Sequence, residues 1–326
     1  MRTHSFLYLR SFVTVVARSK ATWQTYLKFF VLSFFIVSCT SLKRDIPQEV
    51  PDQRPKKIIK KIKVEKVLPP PQKPQLEEKA YKQEKPLPQY PFQVGEKLTY
   101  LASWSLFSVG TIDSEIMPLV SVNDELSYHI KGVAKTNEFF SAIYNAQEDF
   151  ETFFNARDFR PYKFELQARE TKWTRQHITA FDYESGEVYY WKKSVHVENP
   201  QKIKTKEASY KIKTKLFDAL TPIYYMRTLP LKINTKAVFK VVENAEILQI
   251  SCEILKEENI KIMEVNQPAF YFECQLKKIE SKGKIKENQK DSNFLGWVAK
   301  NSPHELLKTQ AEAKIGSISI ELIKKQ

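Results

Sequence analysis

Residues 91–326 read as a mainly β fold, an antiparallel barrel or strongly curved sheet with one or two short helices. Three observations predict it. Apolar and polar residues alternate with a period of two through most of this region, as in strands with one packed and one wet face. Clusters of turn-forming residues separate the alternating runs: Val122-Asn123-Asp124, Glu184-Ser185-Gly186, Glu198-Asn199-Pro200, Lys256-Glu257-Glu258-Asn259 and Lys282-Gly283. A sheet with one wet face is usually antiparallel, and one of roughly ten or more strands removes its exposed edges by closing or curling.

In chain order, the first element is an export signal, residues 1–38. No acidic residue precedes Asp45, while Arg2, Arg10, Arg18, Lys20 and Lys28 lead into an apolar run that ends at Ile36-Val37-Ser38-Cys39. That run, about 12 residues, is shorter than the roughly 20 of a membrane-spanning helix and suits the hydrophobic region of a secretory signal. Its aliphatic-small-Cys ending resembles the lipobox of bacterial lipoproteins. The resemblance implies cleavage before Cys39, acylation of its thiol by chains such as palmitate, and acylation of the new amino terminus. Several chains at ~0.8 kcal/mol per buried methylene make a stable anchor where one would be marginal. A short membrane anchor, or an ordinary signal with an incidental cysteine, is the competing reading; the Pro/Lys-rich stretch that follows at once favours the lipobox. Thr40 stands where an aspartate often marks inner-membrane retention. The expected location is therefore the bacterial cell envelope, lipid-anchored at the outer membrane and facing the periplasm.

Residues 39–90 form the second element, a linker. Ten of the 17 prolines lie between Pro47 and Pro91, and lysines crowd the stretch from Lys56 to Lys66. Such a composition buries too little apolar surface to offset the entropy of ordering and predicts disorder or local polyproline II. About fifty residues would span ~155 Å fully extended and roughly 40 Å as a coil. The run between Lys56 and Lys66 is either a solvated charge run or a contact for anionic lipid or cell-wall polymer, where each lysine gains up to ~1 kcal/mol near a negative surface.

Placing the net charge of +14 changes its meaning. Residues 1–40 carry five basic and no acidic groups, and residues 41–90 carry 13 basic against 7 acidic. The β region is close to balanced, so a nucleic-acid-binding face is not expected.

Within that region, Leu98, Tyr100, Ala102, Trp104 and Leu106 alternate with residues that are, Leu101 apart, polar. So do Tyr162, Phe164, Leu166 and Ala168; Tyr210, Ile212 and Leu216; and Ile318, Ile320 and Leu322. Residues 218–229 break the period: Thr221 as N-cap and Pro222 at the first helical position begin a helix that Pro230 ends. A second helix is expected over residues 137–145, with Phe139, Phe140, Ile143 and Tyr144 as its apolar members.

The opening Phe92-x-Val94-Gly95-Glu96-x-Leu98-x-Tyr100, followed by Trp104 and Gly110, resembles a family of bacterial envelope proteins known as a domain of unknown function. So do the run from Asp218 through Thr221-Pro222 to Arg227, the Trp297 strand and Gly316-Ser317-Ile318. The resemblance spans nearly all of residues 91–326. It implies an antiparallel β-rich envelope domain with no assigned activity. Its signature residues here are Gly95, Glu96, Tyr100, Trp104, Gly110, Asp218, Arg227 and Trp297, in structural or binding roles. After Trp297 the family often has an acid and then a proline, whereas Lys300-Asn301 precede Pro303 in this chain.

Catalytic signatures are weak. His129, His177, His196 and His304 show no metal-ligand spacing, and His129 and His177 read as ordinary strand residues. There is no Gly-x-Ser-x-Gly elbow and no phosphate-binding glycine loop. Glu148-Asp149 with Glu151 reads as a solvated turn. No enzyme activity, cofactor or metal is expected. Cys252 and Cys274 share the parity of their apolar rows, and a hairpin centred near residue 263 would set them face to face. A bond there would add ~3 kcal/mol through loop closure; two buried free thiols fit the same spacing. The 21 Phe, 15 Tyr and 5 Trp either fill the sheet core or line an interior for an apolar ligand. The expectation is a non-enzymatic binding or assembly protein of the envelope. Alternatives are a carrier of lipid or another hydrophobic molecule, and an envelope-polymer enzyme without a recognisable motif.

Overall fold

The structure is a computed structural model that describes residues 64–66, 87–279, 292–313 and 316–326. Cys39, most of the linker and Lys282-Gly283 lie outside the described residues.

One meander contains β2 (Lys97–Trp104), β3 (Phe107–Val122), β4 (Glu125–Thr136), β5 (Ala146–Asn155), β6 (Pro161–Glu170), β7 (Trp173–Asp182), β8 (Glu187–His196) and β9 (Ile203–Lys211). A second contains β10 (Lys236–Glu243), β11 (Glu246–Ile262), β12 (Val265–Ile279), β13 (Ser292–Ala299), β14 (Leu306–Glu312) and β15 (Ser317–Lys325). Within each, consecutive strands pair antiparallel. The last strand, β15, pairs with β2 and fuses the two meanders into one sheet with β9 and β10 at its ends. The fold is all-β and antiparallel, as the alternation predicts, and the sheet stays open: β9 and β10 form no ladder with each other.

Curling nevertheless brings the two ends together. Phe217, just beyond β9, makes a parallel bridge to Val241 on β10, donating its N–H to the Lys240 carbonyl at 2.8 Å. On β9, Lys206 Nζ reaches the Asn244 carbonyl and Tyr210 Oη the Ala245 carbonyl, each at 2.6 Å. The seam is thus held by a few bonds and by apolar packing of Val188, Tyr190 and Leu216 with Val242, instead of a full strand pair.

Alternation sets the inward face. Leu98, Tyr100 and Ala102 on β2 and Tyr162, Phe164, Leu166 and Ala168 on β6 are buried. Leu106 departs from its row: it sits in the β2–β3 turn, 96% exposed. At Gly110 on β3 the backbones approach so closely that a β-carbon would lie 2.1 Å from the Lys135 carbonyl oxygen on β4. Gly95 takes φ +90° in the turn that admits β2, a conformation open to glycine and strained for other residues.

Several expectations need correction. Residues 256–259 form no turn. They lie inside β11, where a register shift between Ile254 and Lys256 bends the strand, and the hairpin turns at Met263-Glu264 instead. The first short helix, α1 (Glu138–Ser141), covers only part of residues 137–145, capped by Asn137, whose side chain accepts from Phe140 N. Phe139 and Ile143 point to solvent, so this helix has no apolar core face. The second, α2 (Thr221–Met226), has Leu220, not Thr221, as its N-cap, without a side-chain cap bond. Within the expected linker, β1 (Val64–Lys66) pairs with the end of β3, Val64 opposite Val122.

Candidate ligand-binding interior

The segment joining β9 to β10 crosses the open side of the sheet and carries α2 into its mouth. Asp218 fixes how it enters. Its buried carboxylate accepts hydrogen bonds from Leu220 N (2.7 Å), Thr221 N (2.8 Å), Thr221 Oγ1 (2.8 Å) and Thr152 Oγ1 of β5 (2.6 Å). These bonds satisfy helix-start N–H groups that Leu220, lacking a polar side chain, leaves open. Burial pushes the Asp218 carboxyl up, while the four donors pull against it. Arg227 fixes the exit. Its guanidinium grips Glu96 at both ends, Nη1–Oε1 2.6 Å and Nη2–Oε2 2.7 Å, and its Nε donates to the Pro303 carbonyl at 3.0 Å. The Phe92 ring lies 5.1 Å away. Both charges are buried, so a geometry of paired forks is what makes them tolerable.

Held this way, α2 walls an apolar cavity of about 250 Å³. Leu98, Tyr100, Phe150, Leu220, Phe272 and Val298 are among its lining, and Ile223, also lining it, is 40% exposed at the mouth. Engineered apolar cavities of ~150 Å³ stay dry and take up benzene, so this one has room for a longer hydrocarbon. Glu243, at the end of β10, lines it too.

A charged group borders the cavity on the same inner face. Glu148 on β5 is next inward from Phe150 and only 1% exposed, and its Oε2 has no hydrogen-bond partner. Glu170 on β6 pairs with Arg175 on β7 and accepts from Tyr144 Oη at 2.7 Å. Lys192 on β8 stands opposite His177 on β7. Burial raises Glu148 well above the usual carboxylate range, with the neighbouring Glu170 charge adding to it. Burial likewise brings Glu243 to about 7 against the pull of Lys192, and lowers Lys192 itself, the Arg175 charge adding to this. The same loss of solvent takes His177 down to about 3, with the Lys192 charge acting in that direction; its Nε2 lies 3.1 Å from Thr179 Oγ1. Tyr190, 1% exposed, has an unpartnered hydroxyl and a pKa raised by burial and by Glu243.

The acidic cluster is therefore not a solvated turn. Glu148 faces the interior, while Asp149 and Glu151 face outward on the same strand, paired with Arg169 and with His129 at 3.1 Å. Burial works against Glu151, yet the His129 hydrogen bond and the Lys163 charge hold its carboxyl down at about 2.

The signature residues divide by place. Glu96, Tyr100, Asp218 and Arg227 converge on α2 or the cavity, and Gly95 adjoins them. Trp104 and Gly110 belong to the β2–β3 hairpin. Trp297 packs across from Tyr271, ring centroids 5.3 Å apart, and donates from Nε1 to Glu258 Oε1 at 2.8 Å, pinning the long β11–β12 hairpin. In that hairpin Cys252 stands directly opposite Cys274, and the two are disulfide-bonded. His304 Nδ1 lies 2.9 Å from the Ala299 carbonyl oxygen and His196 sits at the end of β8. Among the described residues no group of His, Cys, Asp and Glu could hold a metal ion, and no helix is long and apolar enough to cross a membrane.

A family model described as a protein of unknown function, DUF3108, matches residues 99–323. The chain belongs to the DUF3108 family. That match takes in every strand from β3 to β14 together with α2. Curated proteins give no match. Among solved structures, similarity extends to a β-barrel-like protein of the domain of unknown function DUF1849 from Brucella abortus, at 8% identity and TM-score 0.43, over 72% of this chain and 97% of that one. A candidate lipoprotein from Parabacteroides distasonis aligns at 8% identity and TM-score 0.31, over 73% and 97%. A protein with a YmcC-like fold from Bacteroides fragilis aligns at 6% identity and TM-score 0.32, over 73% and 98%.

Of the signature residues, Glu96, Tyr100, Asp218 and Arg227 therefore build the scaffold of α2 and its cavity. Sequence reasoning missed Glu170, Arg175, Tyr190, Lys192 and Glu243 as a group. A signal was present: the parity that puts Tyr162, Phe164, Leu166 and Ala168 inside puts Glu170 inside, and Glu148 shares the row of Phe150.

Proposed function

We propose that this protein is a lipid-anchored binding protein of the bacterial envelope that carries an apolar molecule, or the apolar part of one, inside its curved sheet. One observation carries the reading: an apolar cavity at the sheet's centre, with a helix held in its mouth by buried polar bonds. Those polar bonds are a costly way to plug a core, since apolar side chains of similar volume would serve stability at least as well. They suit a wall that must stay in place while the space behind it is filled and emptied. The lipobox at Cys39 and the Pro/Lys-rich stretch after it support a tethered domain facing the periplasm, where tethering raises its effective concentration near the membrane.

The test compares the full chain with its Cys39→Ser form exported behind an ordinary cleavable signal in place of residues 1–38, which separates anchor lipid from cavity ligand. The parent should fractionate with membranes and take up labelled palmitate, and the variant should be released as a soluble periplasmic protein. Native mass spectrometry of the released variant should show an apolar adduct that organic solvent removes. A variant that stays in the membrane overturns the anchor. A released variant with no adduct, and no uptake of an apolar dye, overturns the carrier.

A further inference from the structure

The charged group beside the cavity has two buried polar atoms with nothing to bond: Oε2 of Glu148 and the hydroxyl of Tyr190. Native proteins leave few such groups, and each points to water, an ion or a ligand that completes it. Both lie on the inner face, Glu148 one inward position from the cavity-lining Phe150 and Tyr190 one inward position from Lys192. Lys192 faces Glu148, Glu170 and Glu243 electrostatically, yet among the described residues its ammonium forms no ion pair with any of them. Arg175, by contrast, is committed to Glu170. The interior therefore ends in an unpaired cation, an orphan carboxylate oxygen and an orphan hydroxyl, next to an apolar space.

We propose that this end of the interior recognises the headgroup of a single-chain amphiphile that is zwitterionic and bears a primary ammonium, of the phosphoethanolamine type. The proposal rests on the carrier reading and extends it to the ligand's polar end. The ammonium donates to Glu148 Oε2 and lies near Glu243, and the phosphate meets Lys192 and the Tyr190 hydroxyl. The tail lies in the cavity, whose 250 Å³ scales from the benzene-sized case to a chain of about ten carbons. Charge decides against the simpler headgroups. An anionic one has no cation to offer Glu148 and Glu243, and a quaternary ammonium has no N–H to offer Glu148. Two opposite charges that a dipolar headgroup satisfies together fit this inner face better than either alone.

The experiment uses the full-length Cys39→Ser protein after solvent extraction. It titrates lysophosphatidylethanolamine, lysophosphatidylglycerol and lysophosphatidylcholine of one decanoyl chain below their micellar concentrations. Native mass spectrometry and tryptophan fluorescence read the binding. Lysophosphatidylethanolamine should bind about tenfold more tightly than the other two, because each of those leaves a buried group unmet. Glu148→Gln and, separately, Lys192→Met should bring that preference to within about threefold, again because a buried partner is lost. Far-ultraviolet circular dichroism shows whether each variant is folded. Equal binding of the three headgroups by the parent protein overturns the headgroup site and leaves the carrier standing; the orphan atoms would then be met by water. Binding of none of them overturns both.

Discussion

Arg227 and Glu243 show two ways a charged residue can live inside this sheet. Arg227 is completed by Glu96 on both prongs, so removing it leaves a buried carboxylate alone. Replacing Arg227 by Met should therefore cost ~3–5 kcal/mol, read as a lower urea midpoint of the full chain, and the double change with Glu96→Leu should recover a large part of it. A double variant no more stable than the single one would mean that the pair is not what holds this corner. Glu243 is the opposite case, a carboxyl brought to about 7 by burial. Its folded value lies above its unfolded one, so folding takes up a proton between the two. The contribution is whole below about pH 4.5 and is lost as pH rises through 7. Glu243→Gln should then be close to neutral at pH 5 and stabilising at pH 8, by about 2 kcal/mol. That is less than ~1.36 kcal/mol per unit would give, because solvent reaches part of the side chain. His177, held at about 3, works the other way, its contribution present above about pH 6.5 and lost as pH falls. An equal effect of Glu243→Gln at both pH values would count against a buried, proton-holding glutamate.

At the scale of the element, the β11–β12 hairpin and α2 carry most of the argument. The hairpin is the longest pairing in the sheet, and its register sets Cys252 opposite Cys274 with 22 residues of separation. Closing a loop of that length stabilises by about 3 kcal/mol in the chain-entropy picture. We expect the protein's mass to be lower by two hydrogens until reductant is added. The Cys252→Ser/Cys274→Ser pair should lose about that much stability; a loss under ~1 kcal/mol would show that the hairpin holds without its bond. The centre of this hairpin was legible in the sequence because alternation on both arms shares one parity. Its interior was not: Lys256-Glu257-Glu258-Asn259 has turn composition but is carried through as strand, since a bulge at Leu255 absorbs the change of face. The helix was legible from Pro222 and Pro230. Its cap was not, because Asp218 supplies the acceptor from outside the helix, a contact that depends on how the segment enters the mouth. Glu148 was misread for a related reason. Three acids close together look like a solvated turn, and only the row they share with Phe150 tells which one turns inward.

For the whole molecule the consequence of an open sheet is a seam. Alternation and turns predict the strands and their antiparallel order, but whether the ends meet depends on accumulated twist, which no local stretch encodes. Here β9 and β10 stop short of pairing, and β9 is an exposed strand rich in lysine, a composition that discourages pairing with other chains. What spans the gap is the Phe217 bridge, the side chains of Lys206 and Tyr210, and an apolar cluster that joins Val188, Tyr190 and Leu216 to Val242 and Ile247. On the carrier reading, this seam is where an apolar molecule would enter, since the contacts across it are fewer than in a full strand pair, while α2 stays fixed by Asp218 and Arg227. Locking the seam should then slow exchange without changing what is bound. With Lys206→Cys and Asn244→Cys, one residue on β9 and the other in the β10–β11 turn, a short bismaleimide would join the two edges. Release of an apolar dye from the cross-linked full chain should be at least about tenfold slower than from the same protein capped with monofunctional maleimide, as expected when a gating motion limits release. Dye release at an unchanged rate would place the entrance elsewhere, most directly at Ile223, where the cavity wall reaches solvent on α2 itself.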